Sequence, residues 1–155
     1  MENAKINNEL TLQYPDGFHE MTEEDLKKYF VTDGNRWGIH DPERHVVISV
    51  AWTRSTFLSY LTDAKSVVGG SERCMKSNLK SYQRIGKLST EIASKKASGI
   101  AFQYHPTDAN IIQYSEMLAF RQKNMFYVIV YLTHKDKNSD CHPLFDDLLK
   151  SIQIV

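Results

Sequence analysis

The sequence predicts an α+β domain: a mostly antiparallel sheet of five to seven strands flanked by helices, an α/β/α sandwich. Three observations lead there. The stretch from Ile85 to Thr133 reads as four long consecutive strands with no helix between them. The last of these, Met125–Thr133, is apolar or aromatic on both faces, Phe126, Val128, Val130 and Leu132 on one and Tyr127, Ile129 and Tyr131 on the other. A strand covered on both sides belongs inside a sheet with layers above and below it. Finally, Leu144, Phe145, Leu148, Leu149 and Ile152 mark an amphipathic closing helix over Pro143–Ile152, with Pro143 suited to a first turn.

The remaining elements follow in order. Leu10–Tyr14 alternates with period two and stops at the turn Pro15-Asp16-Gly17. Thr22 is an N-cap for a short helix over Glu23–Phe30, with Glu23, Glu24 and Asp25 in the first turn, where the helix dipole favours anions. Arg36–His40 and His45–Thr53 form a hairpin around Asp41-Pro42-Glu43-Arg44. In its second strand Val46, Ile48, Val50 and Trp52 share the core face, joined by Trp37 and Ile39 from the partner strand. Helical spacing then links Ala64, Val67, Val68, Met75, Leu79 and Tyr82, with Phe57, Leu58 and Leu61 in a shorter turn before them. Gly69-Gly70 lies inside that helix, each glycine costing ~1 kcal/mol against alanine, and is expected to mark a kink or a close packing. The four meander strands run over Ile85–Ser94, Gly99–His105, Ile111–Arg121 and Met125–Thr133, with Lys123-Asn124 as the last tight turn.

A chain of 155 residues with no linker, repeat or low-complexity segment is read as one domain, residues 1–155. Nineteen basic residues balance nineteen acidic ones. The basic excess that nucleic-acid binding draws on is missing, so no nucleic-acid partner is expected. The longest apolar run, Met125–Leu132, is too short to cross a bilayer, and the N-terminal residues carry no apolar signal core. If Met1 is the native start, a cytoplasmic location follows. Cys74 and Cys141 are read as free thiols.

The order strand, helix, hairpin, long helix, meander and terminal helix resembles the PsbP-like fold. The residues that carry the likeness are Leu12-Gln13-Tyr14-Pro15-Asp16-Gly17-Phe18, Ser98-Gly99-Ile100-Ala101, Tyr114–Phe120, Tyr127-Val128-Ile129-Val130-Tyr131 and Phe145–Ile152. That group includes the photosystem subunit PsbP, a yeast Ran-binding import factor and bacterial DcrB-like proteins of uncharacterised function. Its shared motifs are structural and mark no active site. Most DcrB-like proteins are exported, and a cytosolic branch of homodimeric chaperones matches this chain better in lacking a signal segment. The resemblance implies a non-enzymatic binding or accessory module, chaperone- or adaptor-like, engaging a protein partner.

Candidate chemistry is sparse. His40 and His45 flank the hairpin turn and are expected to face each other, with Asp41 or Glu43 nearby. Two imidazoles are half of a metal site, so no metal and no cofactor are assigned. His134, Asp136, Asp140, Cys141 and His142 gather before the closing helix at spacings that match no zinc module. Cys141 would need an imidazole in reach to act as a nucleophile, and the adjacent His142 is expected to point elsewhere. Glu116 shares the apolar face of Tyr114, Leu118 and Phe120 and must pair, bind something or lie uncovered. With no nucleophile–base–orienter set, catalytic residues are not assigned. Tyr127, Ile129 and Tyr131 are expected to form an interface core, for a homodimer or another protein, wherever the chain's own helices leave them open. The rival readings are a small-molecule or metal-binding protein using the His40/His45 hairpin and, after it, a small hydrolase.

Overall fold

The structure is a computed structural model that describes residues 1–30, 34–55, 63–106 and 110–155. Strands β1 (Glu2–Ile6), β2 (Leu10–Tyr14) and β3 (His19–Glu20) precede helix α1 (Glu23–Tyr29). The hairpin β4 (Asn35–Asp41) and β5 (Val46–Arg54) leads to α2 (Ala64–Asn78). Next come β6 (Lys80–Ile92), β7 (Lys95–His105), β8 (Gln113–Gln122) and β9 (Met125–His134). A 3-10 turn (Lys135–Lys137), α3 (Asn138–Ser151) and β10 (Gln153–Ile154) close the chain. Among the described residues the strands form a seven-stranded antiparallel sheet, β3-β4-β5-β9-β8-β7-β6, and a small sheet, β1-β2-β10.

The expected placement of Met125–Thr133 is correct: β9 is the middle strand of the seven. Its two faces serve two cores. Tyr127, Ile129 and Tyr131 pack beneath α3 and the small sheet, among Phe120, Phe145 and Leu148. Val130 packs on the other side with Val68 of α2, Ile100, Phe102 and Met117. Leu132 continues that second face under α1, beside Leu26, Met21 and Val47.

Local chemistry explains the boundaries. Thr22 and Asp25 form a reciprocal capping box on α1. Gly38 lets α1 lie close on the sheet, because a Cβ there would stand 2.9 Å from Leu26 Cδ2 and 3.1 Å from Met21 Sδ. Gly99 is tighter still: its Cβ would lie 2.0 Å from the Met117 carbonyl oxygen on β8. Ala93 and Ser94 both take positive φ between the paired Ile92 and Lys95, the two-residue turn that right-handed strand twist favours.

Several boundaries differ from the sequence expectation. Leu79 caps α2, and Tyr82 belongs to β6, although its ring still packs beneath the helix on Phe102. Strand β7 begins at Lys95, four residues before the expected Gly99, and β8 ends at Gln122. Helix α3 begins at Asn138, so Pro143 lies inside it. Strand β1 was not expected; its alternating Ala4 and Ile6 are buried, but the polar residues between them mask the period. Phe57, Leu58 and Leu61 lie outside the described residues.

One buried charge ties α2 to the sheet edge. Glu72 accepts hydrogen bonds from Arg84 Nε at 2.7 Å, from Arg84 Nη2 and from the Tyr82 hydroxyl at 2.7 Å. The Arg84 hydrogen bonds, helped by Tyr82 and opposed by burial, hold its carboxyl from the usual 4.5 down to about 2. A depressed carboxylate stabilises the fold above its unfolded pKa and loses that contribution as pH falls through the folded value. Wild-type stability should therefore drop between pH 4.5 and about 2 through this group. Urea melts of Glu72→Gln should show a shallower acid limb over that window; an unchanged limb would refute the linkage.

Candidate functional site

The side of the sheet under α3 is closed by α3 and the small sheet, and among the described residues the side under α1 and α2 is not closed throughout. Where α1, the β4–β5 turn, the end of α2 and the ends of β7 and β9 meet, a cleft of about 880 Å³ opens. Asp25, Lys28 and Tyr29 of α1 line one wall. Asn78, Leu79, Tyr104 and His105 also line the cleft, as do His40, His45 and His134.

The β4–β5 turn is built on Asp41, a buried carboxylate that accepts from the backbone N–H groups of Glu43 at 3.1 Å and Arg44 at 3.4 Å, and from Arg44 Nη1 at 2.9 Å. This turn decides where the two candidate histidines go. His40 is paired with Val47 on one side and His19 on the other, and His45 takes a left-handed φ of 57° within the turn. They are therefore not cross-strand partners. His45 stacks on His134, ring centroids 4.3 Å apart and planes 13° apart. Burial and the neighbouring His45 both press the His134 imidazole toward its neutral form. Parallel stacking directs the two rings alongside each other rather than at a shared ion. Among the described residues no group of three or more His, Cys, Asp or Glu side chains is placed to hold a metal.

Tyr104 adds an aromatic wall. Burial, with Tyr29 nearby, pushes its phenol up to about 12, so it is a neutral hydrogen-bonding group at physiological pH. Tyr29 itself is 48% exposed, a large aromatic left in water at the rim.

The remaining candidates resolve differently. Tyr127, Ile129 and Tyr131 are each 0% exposed. They are not an interface: the chain's own α3 and small sheet cover them. The Tyr131 ring stacks on Phe145 at 4.7 Å, and its hydroxyl donates to Asn138 at 2.9 Å. Tyr127 stacks on Phe120 at 5.4 Å, and its hydroxyl meets Asn7 and Glu9.

Glu116 is buried and paired. It accepts from the Tyr114 hydroxyl at 2.8 Å and faces His142 Nε2 at 2.5 Å, while His142 Nδ1 faces Asp146 at 3.2 Å. Each ring nitrogen of His142 is thus taken by a carboxylate, an arrangement that fastens α3 to β8. Burial and the Glu116 hydrogen bond together raise the Tyr114 phenol well above its ordinary value. Cys141 is buried, its sulfur 3.9 Å from the Arg44 carbonyl, and burial pushes its thiol up. That is the opposite of what a nucleophilic cysteine requires. Asp136 sits in the 3-10 turn and Asp140 in the first turn of α3, so the expected loop is largely helical. Cys74 is exposed, and both cysteines are free.

Sequence reasoning missed most of the cleft wall. Lys28, Tyr29, Asn78 and His105 are scattered through the chain, and no local pattern announces that their elements converge.

No protein-family model matches the sequence, and no curated protein matches it either. Solved structures do. The cyanobacterial PsbP of Synechocystis sp. PCC 6803 superposes with a TM-score of 0.69 at 12% identity, over 99% of this chain and 92% of that one. The fold is PsbP-like. LpqN of Mycobacterium tuberculosis, described as involved in cell envelope biogenesis, shares this PsbP-like architecture with a TM-score of 0.63 at 14% identity, over 94% of this chain and 83% of its own. A point mutant of Mog1 matches with a TM-score of 0.62 at 11% identity, over the whole of this chain and 97% of that one. No helix of the PsbP-like chain is long and apolar enough to cross a membrane, among the described residues.

Proposed function

We propose that this protein is a non-enzymatic binding or accessory module that engages a protein partner through the cleft between α1 and the end of α2. The observation that carries the reading is the composition of that cleft: an exposed Tyr29, a second tyrosine, four histidines and two charges of each sign on an open surface. Aromatic groups at a half-wet surface, ringed by polar ones, are the usual composition of a protein-binding patch. The titratable groups do not converge as a reaction would need: His45 and His134 are stacked on each other, and Asp41 is committed to its own turn. The PsbP-like fold agrees with an accessory role, since its resemblance group includes a photosystem subunit and an import factor.

The test is site-specific photocrosslinking in the native cells, with the crosslinking residue at Tyr29 and, as a remote control, at the exposed Ile85 on β6. One recurrent adduct from the Tyr29 site, absent from the Ile85 site and lost on Lys28→Glu, is expected. Equal adducts from both positions, or none at Tyr29 while the protein is folded and expressed, would sink the reading.

A further inference from the structure

A second cavity, of about 430 Å³, lies between the first half of α2 and the strands β6 and β7, away from the cleft. Its volume is within the range of small-molecule sites. Val68 and Ile100, both buried, give it an apolar floor. Gly69 also lines it, and a Cβ built there would meet no described atom within 4 Å, so the position has room for a side chain that the sequence does not supply. A glycine in mid-helix costs ~1 kcal/mol against alanine. Among the described residues no packing contact at Gly69 explains that cost, in contrast to Gly38 and Gly99.

The charge around the cavity is one-sided. Arg84 and Glu72 neutralise each other at one end. Lys65 and Lys87 also line the cavity; both are exposed, and neither takes part in an ion pair with a described residue. An apolar floor beneath two exposed ammonium groups is complementary to a ligand with a hydrocarbon body and a single anionic head. We propose that this cavity binds a medium-chain aliphatic carboxylate, its chain lying over Val68, Gly69 and Ile100 and its head group between Lys65 and Lys87. The site is separate from the cleft, and neither proposal depends on the other.

The experiment is an NMR titration of the full chain with octanoate, and with octanol and acetate as probes lacking the charge and the chain. Octanoate should shift the amides of Val68, Gly69 and Ile100 saturably, with each comparator at least about tenfold weaker. Gly69→Leu fills the cavity and should abolish binding without lowering the melting temperature. Lys65→Gln with Lys87→Gln, two surface changes that leave the core untouched, should weaken octanoate about tenfold. The assignment is overturned if octanol or acetate binds as well as octanoate, if the shifts map elsewhere or fail to saturate, or if the filled variant binds like wild type. Should Gly69→Leu not fold, the lysine pair decides: unchanged octanoate affinity there overturns the proposal.

Discussion

Replacing Tyr127 and Tyr131 together with serine is expected to unfold the protein. Both rings are fully buried, one stacked on Phe120 and the other on Phe145, and both hydroxyls are hydrogen-bonded. Truncating a buried aromatic costs roughly 3–5 kcal/mol through lost burial and the cavity left behind. The two sites lie on one strand without sharing a ring partner, so their costs should largely add. The sum is comparable to the whole stability of an ordinary domain, roughly 5–15 kcal/mol. Circular dichroism and a urea melt of the single and double variants check this. A double variant that melts cooperatively near the wild-type midpoint would mean that the rings are not core, and would restore them as an interface.

Val130→Asp is the second large effect. Val130 lies at the centre of β9 on the opposite face, 7% exposed, packed with Val68, Phe102 and Met117 and cross-strand from Ser49 and Met117. The side chains packed on it carry no charge, and the nearby cation, Arg36, already donates from Nη1 to Ser49 Oγ at 2.7 Å. A carboxylate here must be protonated, displace that hydrogen bond to reach Arg36, or expose itself by breaking the contact of α2 with the sheet, and each route disrupts a packed face at a cost of several kcal/mol. The variant should be insoluble, or should lose its cooperative thermal transition while Val130→Ala keeps one. A soluble, cooperatively melting aspartate variant would show that this face is open to water and that α2 does not cover it.

Tyr127, Val130 and Tyr131 lie on one strand whose two faces read alike in the sequence. The period-two pattern of Met125–Thr133, apolar on both sides, was enough to place it inside a sheet, because a backbone whose two side-chain faces are both apolar needs cover on both. The pattern could not say what supplies the cover. Tyr127, Ile129 and Tyr131 are closed over by α3 together with β1, β2 and β10, and two of those strands, β1 and β10, are too polar or too short to be recognised alone. Their strand character comes from pairing with β2. A local propensity cannot reveal a partner that lies at the other end of the chain.

The histidines illustrate the same division. That His40 and His45 sit at a hairpin end was legible from the Asp-Pro-Glu-Arg turn between them. Their orientation was not, because Asp41 draws the turn's amides onto its own carboxylate and leaves His45 with positive φ, aimed at His134 some ninety residues away in sequence. Glu116 was legible as a charge on an apolar face that needed a partner. Its partner, His142, became visible only once α3 was laid across β8.

By itself, then, the sequence determined the class of the fold, the order of its main elements and the central strand. These follow from periodicity, turn chemistry and composition, which act over a few residues at a time. The tertiary structure alone decided which apolar faces are core and which surface is left open, so that the tyrosines of β9 went to the interior and a cleft and a glycine-lined cavity emerged under α1 and α2. Burial is a property of what covers a residue. The covering elements come from distant parts of the chain, and no local pattern records where they will lie.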